Sequence, residues 1–167
     1  MEKKYKVGIV PGSFDPITVG HLDIICRAAE LCERVVVAVM INADKKYMFT
    51  LDERKKIAES ALEGAENVEV ISSDGMLYEL ASALSADAII KGVRNERDRE
   101  YELAMAEYNS ARCGAETVLL DAAETLTDVS STAVRARIES SEPLEALLPD
   151  GAIKAIKKIL YKKGEIE

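Results

Sequence analysis

Residue types that handle phosphate cluster in short, separated segments of the chain. One runs Gly12-Ser13-Phe14-Asp15-Pro16 with Thr18-Val19-Gly20-His21 close behind; others are Asn42 to Lys46, Lys91-Gly92-Val93-Arg94 and Ser130-Ser131-Thr132. Gly12 and Gly20 lack the Cβ that would hold a ligand off the backbone, and Gly20 leads into an apolar-periodic segment whose first N–H groups would favour an anion. Lys45, Lys91 and Arg94 supply cationic donors and His21 a titratable one. These types together fit a polyphosphate site built on helix starts. Each also has a plainer reading: Pro11-Gly12 and Gly20 as turns, His21 as a helix-start residue, Lys45 and Lys46 as solvated loop charges, Ser130 to Thr132 as a helix cap. Ser13 and His21 do not make a hydrolase pair, because Ser13 sits on a loop with no Gly-x-Ser-x-Gly elbow.

Whether these segments meet depends on the elements between them. Lys6–Val10 reads as a strand stopped by Pro11-Gly12, and His21–Glu33 as a helix with Leu22, Ile25, Cys26, Ala29 and Cys32 at helical spacing. Arg34–Ile41 is apolar and mostly β-branched, as a strand covered on both faces requires. Thr50 with Glu53 has the capping-box pattern and opens a helix through about Leu62, followed by a strand at Val68–Ser72. Leu77, Leu80, Ala81 and Leu84 repeat with helical period before a short strand at Ala88-Ile89-Ile90. Asp98–Cys113 carries Tyr101, Ala104, Met105, Tyr108 and Ala111 on one face and precedes a strand at Thr117–Leu120; Ser131–Glu139 and Asp150–Lys162 read as terminal helices, the last with a lysine-rich solvated face. Strands alternating with helices imply right-handed crossovers, hence an α/β fold with a doubly wound five-stranded parallel sheet. In such a sheet every segment that follows a strand lies on one edge, so sequence order becomes spatial proximity and ligands bind at that edge.

With 167 residues, 48% apolar and 31% charged, the chain reads as one domain spanning 1–167, with no internal repeat or linker. Its longest apolar run, Val35 to Ile41, is far short of a membrane span, and the start at Met1-Glu2-Lys3-Lys4 leads into no secretory hydrophobic stretch, so a cytoplasmic protein is expected. Thirty acidic against 22 basic residues give a net charge of -8, which argues against nucleic acid as a partner and makes any basic site local. Cys26, Cys32 and Cys113 contain no Cys-x-x-Cys pair and read as packed core thiols; with His21 the only histidine, a His-x-x-x-His metal site is excluded.

Pro11 to His21, ending Thr18-Val19-Gly20-His21, resembles the signature of nucleotidyltransferases with a Thr/His-x-Gly-His motif, and more closely that of the phosphopantetheine adenylyltransferases. Lys45-Lys46-Tyr47-Met48-Phe49-Thr50-Leu51-Asp52-Glu53-Arg54, Ile90 to Arg94, Asp98-Arg99-Glu100-Tyr101-Glu102 and Val129 to Thr132 follow in that family's order, so the resemblance runs from about Val7 to Arg135. Ser13 stands where a threonine is common, Lys91 where an arginine is, and Leu126 where some relatives carry an aromatic.

The resemblance implies a single Rossmann-like nucleotidyltransferase domain that moves the adenylyl group of ATP to 4′-phosphopantetheine, with Mg²⁺ assisting and a homohexameric assembly. It implies His21, Lys45 and Arg94 as catalytic residues, and Ser13, Lys45, Leu77 and Lys91 at the phosphopantetheine. Around ATP it implies Ser13, Phe14, His21, Gly92, Val93, Arg94, Glu102, Leu126, Thr127, Asp128, Val129, Ser130, Ser131 and Thr132. A phosphomonoester oxygen is already nucleophilic at neutral pH, so the expected reaction is direct in-line attack without a covalent intermediate, His21 stabilising the transition state at the α-phosphate. Mg²⁺ is expected to bridge phosphate oxygens, with no protein side chains as ligands. The alternatives are a nucleotidyltransferase for nicotinamide mononucleotide or an alcohol phosphate, and a noncatalytic nucleotide-binding module. A receiver-type signalling domain would need an acidic pair after the first strand, which is absent.

Overall fold

The computed structural model describes residues 2–167. In chain order the elements are β1 (Tyr5–Gly12), α1 (Val19–Leu31), β2 (Cys32–Met40), α2 (Leu51–Ala61), β3 (Val68–Ser73), α3 (Leu77–Ala83), β4 (Ala88–Val93), α4 (Glu96–Cys113), β5 (Glu116–Asp121), a 3-10 turn at Glu124–Leu126, α5 (Ser131–Glu139) and α6 (Asp150–Lys162). The strands form one sheet in the order β3-β2-β1-β4-β5, with every neighbouring pair parallel. The expected five-stranded α/β architecture is therefore present, and no described helix is long and apolar enough to cross a membrane.

β2 shows why the sheet must be covered twice. Val35, Val37 and Val39 point into the larger apolar cluster with Ile24, Ile25 and Ala28 of α1, Ile57 and Ala58 of α2, and Ile153, Ile156 and Leu160 of α6. Val36 and Ala38, on alternate positions, point into the smaller cluster with Ile9, Ile89 and Ala81 of α3. An unbroken apolar strand is the sequence signature of that two-sided burial.

Strand order creates the opening. From β1 the chain winds outward through β2 to β3, then returns to the other side of β1 with β4 and β5, so the winding reverses between β1 and β4. β1 pairs with β2 from Tyr5 to Gly12, but with β4 only at Gly8 with Ala88 and Ile9 with Ile89. Beyond that point the two central strands part, and a crevice opens between their carboxyl ends. α1 closes one wall of it by packing hard against β4: a Cβ on Gly92 would stand 2.9 Å from Ile24 Cγ1, so only glycine permits that approach.

Several helical faces differ from those expected. α1 begins at Val19, buries Ile24, Ile25 and Ala28, and leaves Cys26 exposed. Cys32 belongs to β2, because its extended backbone starts the strand without an intervening loop; it is fully buried, while Cys113 is only partly so. The core-thiol expectation therefore holds for Cys32 alone in full. In α4 the apolar set is not the packed one: Tyr101 and Leu103 are 61% and 54% exposed, and Asn109 is the helix's buried residue. α4 covers a crevice rather than a dry core, so its inner face, with Glu102, Met105, Ala106 and Asn109, is partly polar.

Candidate active site

A cavity of about 580 Å³ occupies the crevice, lined by the segments that follow β1, β2 and β4 and by the start of α5. It brings together Ser13, Phe14, His21, Lys45, Lys91, Gly92, Arg94, Glu102, Leu126, Val129, Ser130, Ser131 and Thr132. Four expected site residues lie off its wall. Val93 is buried on the strand, where alternation turns its side chain away from Gly92. Thr127 bonds back to the Glu124 carbonyl, and Asp128 does not line the cavity. Leu77 lines a second, smaller cavity of about 60 Å³ that shares Lys91 and Glu102 with the first.

The loop after β1 is lashed from several sides. Buried Asp15 accepts the N–H groups of Met48 and Phe49 at 2.9 and 3.0 Å, and its main-chain carbonyl accepts Arg135 Nη1 at 2.8 Å. Arg54, only 1% exposed, donates to the carbonyls of Ser13 and Met40. Gly12 has a local reason to be glycine, because the Phe14 ring folds back to 3.0 Å from where a Cβ would stand. That ring then meets His21 edge-on, with centroids 5.0 Å apart.

His21 sits in the first turn of α1 in a reciprocal cap. Its N–H donates to Thr18 Oγ1, and its ring Nδ1 accepts the Thr18 N–H at 3.0 Å. That bond assigns the ring hydrogen to Nε2, so the imidazole is a neutral donor. Burial, reinforced by the nearby Arg94 charge, pushes its pKa down to about 4. Because the chain has one histidine, one set of imidazole proton resonances reports it. Those resonances are expected to hold still from pH 8 to about 5.5 and to titrate near 4; a midpoint near 6.5 would refute the assignment. The same depression means that His21's contribution to stability is complete above 6.5 and is lost as pH falls toward about 4, since only the unfolded chain takes up the proton in that window.

The cations divide into paired and unpaired. Lys91 Nζ lies 3.3 Å from Glu102, and Arg94 Nε 3.2 Å from Asp98, whereas Lys45 and Lys46 are exposed with no carboxylate partner among the described residues. At α5, Ser130 Oγ caps the Ala133 N–H, Ser131 Oγ donates to the Pro16 carbonyl and Thr132 Oγ1 accepts from Arg135. Ser131 has spent its hydrogen, but Ser130 and Thr132 accept in these bonds and keep an O–H to donate, so this helix start can offer an anion two hydroxyls as well as the amides of its first turn. Arg135, Thr18 and Tyr47 also line the cavity, though sequence reasoning assigned none of them a role of its own. Arg135's position one turn into α5 was the available signal.

A parallel α/β sheet whose reversal point gathers helix starts, a neutral histidine donor and basic side chains is built for nucleotide phosphates, and residues 9–137 match the family described as Cytidylyltransferase-like. The full length narrows this. The chain is 40% identical over 162 residues to the phosphopantetheine adenylyltransferase of Clostridium novyi, covering 96% of this chain and 99% of that one. It is 39% identical over 142 residues to that of Flavobacterium psychrophilum, covering 85% and 94%, and 45% identical over 127 residues to that of Cutibacterium acnes, covering 76% and 81%. This chain belongs to the phosphopantetheine adenylyltransferase family.

Proposed function

We propose that the cavity transfers the adenylyl group of ATP to 4′-phosphopantetheine, releasing pyrophosphate and forming 3′-dephospho-coenzyme A, a step of coenzyme A biosynthesis. The observation that carries the reading is the crevice cavity itself, which gathers Ser13, His21, Lys45, Lys91, Arg94 and the start of α5 around one space in a chain of this family. The smaller cavity, about 60 Å³ with Leu77, Tyr101 and Met105 beside polar Asn109 and Thr117, shares Lys91 and Glu102 with it and marks the side of Lys91 toward which the amide-bearing chain of the acceptor would run. Thr117 Oγ1, buried and without a hydrogen-bond partner, is a ready group for such an amide.

The phosphomonoester attacks the α-phosphorus in line; no covalent intermediate forms. Lys45, Lys91 and the Ser13 hydroxyl hold the acceptor phosphate, and His21 Nε2–H donates to the α-phosphate oxygen as negative charge grows there. Arg94 and the α5 amides hold the β- and γ-phosphates, the departing pyrophosphate. Phe14, Gly92 and Leu126 surround the nucleoside. The cavity carboxylates are engaged, Asp15 with two amides, Asp98 with Arg94 and Glu102 with Lys91, so Mg²⁺ would ride on phosphate oxygens rather than on side chains. Bound there, it neutralises phosphate charge.

Exposed apolar side chains on α4, Tyr101 and Tyr108 on one face and Leu103 on another, support self-association, for which a homohexamer in the cytoplasm is the proposed form. The central test is chemical. Incubation with ATP, Mg²⁺ and 4′-phosphopantetheine is expected to yield pyrophosphate and dephospho-coenzyme A in equal amounts by mass spectrometry. Pyrophosphate release with nicotinamide mononucleotide instead, or with none of these acceptors, would overturn the reading.

A further inference from the structure

Tyr47, on the loop between β2 and α2, is held as a side chain in a working site is held. Its ring lies over the guanidinium of buried Arg54, 3.9 Å from centroid to Cζ, which sets the ring plane. Its hydroxyl accepts the Asn42 N–H at 2.7 Å and stands 3.2 Å from Ser13 Oγ. A phenol has a single hydrogen. With the Asn42 N–H occupying a lone pair, the Tyr47 hydroxyl either gives its hydrogen to Ser13 or takes Ser13's. An anion in the cavity removes the choice: Ser13 then donates to the anion, and the remaining arrangement has Tyr47 donating to Ser13. The series from Asn42 N–H through Tyr47 and Ser13 to the anion runs in one direction, so each bond polarises the next. Tyr47 and Lys45 follow β2, whereas Arg94 follows β4 on the other side of β1.

We propose that Tyr47 is a positioning residue for the acceptor: acting through Ser13, it orients the hydroxyl that grips the phosphomonoester, and so tunes affinity for that substrate rather than for ATP. The inference rests on the adenylyl-transfer reading.

Tyr47→Phe keeps the ring over Arg54 and deletes only the hydroxyl. Steady-state kinetics with ATP, Mg²⁺ and 4′-phosphopantetheine are compared for the wild type, Tyr47→Phe, Ser13→Ala and the double variant, with calorimetric titration of 4′-phosphopantetheine as a readout independent of turnover. Tyr47→Phe is expected to raise the acceptor KM and Kd about 5-fold, the size of one neutral hydrogen bond, while the ATP KM stays within about twofold. The double variant is expected to be no worse than Ser13→Ala, because the tyrosine acts only through the serine. An unchanged acceptor KM, an equal rise for ATP, or additive losses in the double variant would each overturn the inference while leaving adenylyl transfer intact. A wild type that releases no pyrophosphate with this acceptor removes both.

Discussion

His21→Ala lowers turnover about 100- to 1,000-fold, the usual cost of losing one donor aimed at developing transition-state charge. The loss is expected in kcat, with the ATP KM moving little, because the Nε2–H bond strengthens only as the α-phosphate gains charge. The imidazole has two jobs, however. Nδ1 also accepts the Thr18 N–H in the α1 cap, so alanine strips a cap acceptor along with the catalytic donor. Two further variants separate them. His21→Asn offers Thr18 an acceptor but has no group reaching as far as Nε2, and is expected to be as slow as alanine while melting closer to wild type. His21→Gln can extend an amide N–H toward the Nε2 position and is expected to recover part of the rate. Because the imidazole is already neutral above pH of about 4, no variant should remove a break near pH 6.5 from the kcat profile. A His21→Ala enzyme within about tenfold of wild-type kcat would reduce His21 to a substrate-binding and capping residue.

The site was legible wherever chemistry follows a parallel strand, because the sheet itself turns sequence order into proximity: Ser13, Lys45, Lys91 and Arg94 reach one cavity from distant parts of the chain. β2 was legible because two-sided burial leaves no room for a polar position between Val35 and Val39. What failed were faces decided by packing partners that the sequence does not name. Of the α4 stripe of Tyr101, Ala104, Met105, Tyr108 and Ala111, only Met105 turns inward and is half-buried; the other four are exposed, and the helix turns Glu102 and Asn109 inward because a crevice lies beneath it. Cys26 fits the spacing of the α1 stripe but falls outside the arc that Ile24, Ile25 and Ala28 bury. The Ser130 to Thr132 hydroxyls read equally well as ligands or caps; their bonds to Ala133, Pro16 and Arg135 show the structural role, which leaves Ser130 and Thr132 an O–H still to donate. The state of His21 was beyond reach of the sequence, since its tautomer is set by the Thr18 main-chain hydrogen.

Arg54 was the deepest omission, and its replacement is expected to have the largest structural effect. In the sequence it appears only as the last residue of the Lys45-to-Arg54 block, with no role attached to it. It is buried, with Nη1 2.8 Å from the Ser13 carbonyl and 2.9 Å from that of Met40, and Nε 3.3 Å from that of Phe49. Burial pulls its pKa down from the usual arginine value, and the nearby Tyr47 and Asp15 push the other way. Those carbonyls belong to the β1 exit, the end of β2 and the start of α2, so one planar cation ties together three backbone segments that frame the acceptor side. Arg54→Ala leaves the buried Phe49 carbonyl and the half-buried carbonyls of Ser13 and Met40 without this donor, a fully buried one costing about 1–3 kcal/mol, and opens a side-chain cavity besides. Allowing for partial entry of water, a net loss of about 3–5 kcal/mol is expected, equivalent to a fall in Tm of about 10 °C for a chain of this size. Arg54→Lys retains the charge but not the fork, and is expected to recover less than half of that loss. If stability alone were at stake, kcat and both KM values measured well below Tm would stay normal. The geometry requires otherwise: with Ser13 and Tyr47 both resting on this guanidinium, the acceptor KM is expected to rise further in Arg54→Lys than in Tyr47→Phe. A lysine variant that melts within about 2 °C of wild type and binds acceptor normally would show that the three segments hold their places without the fork.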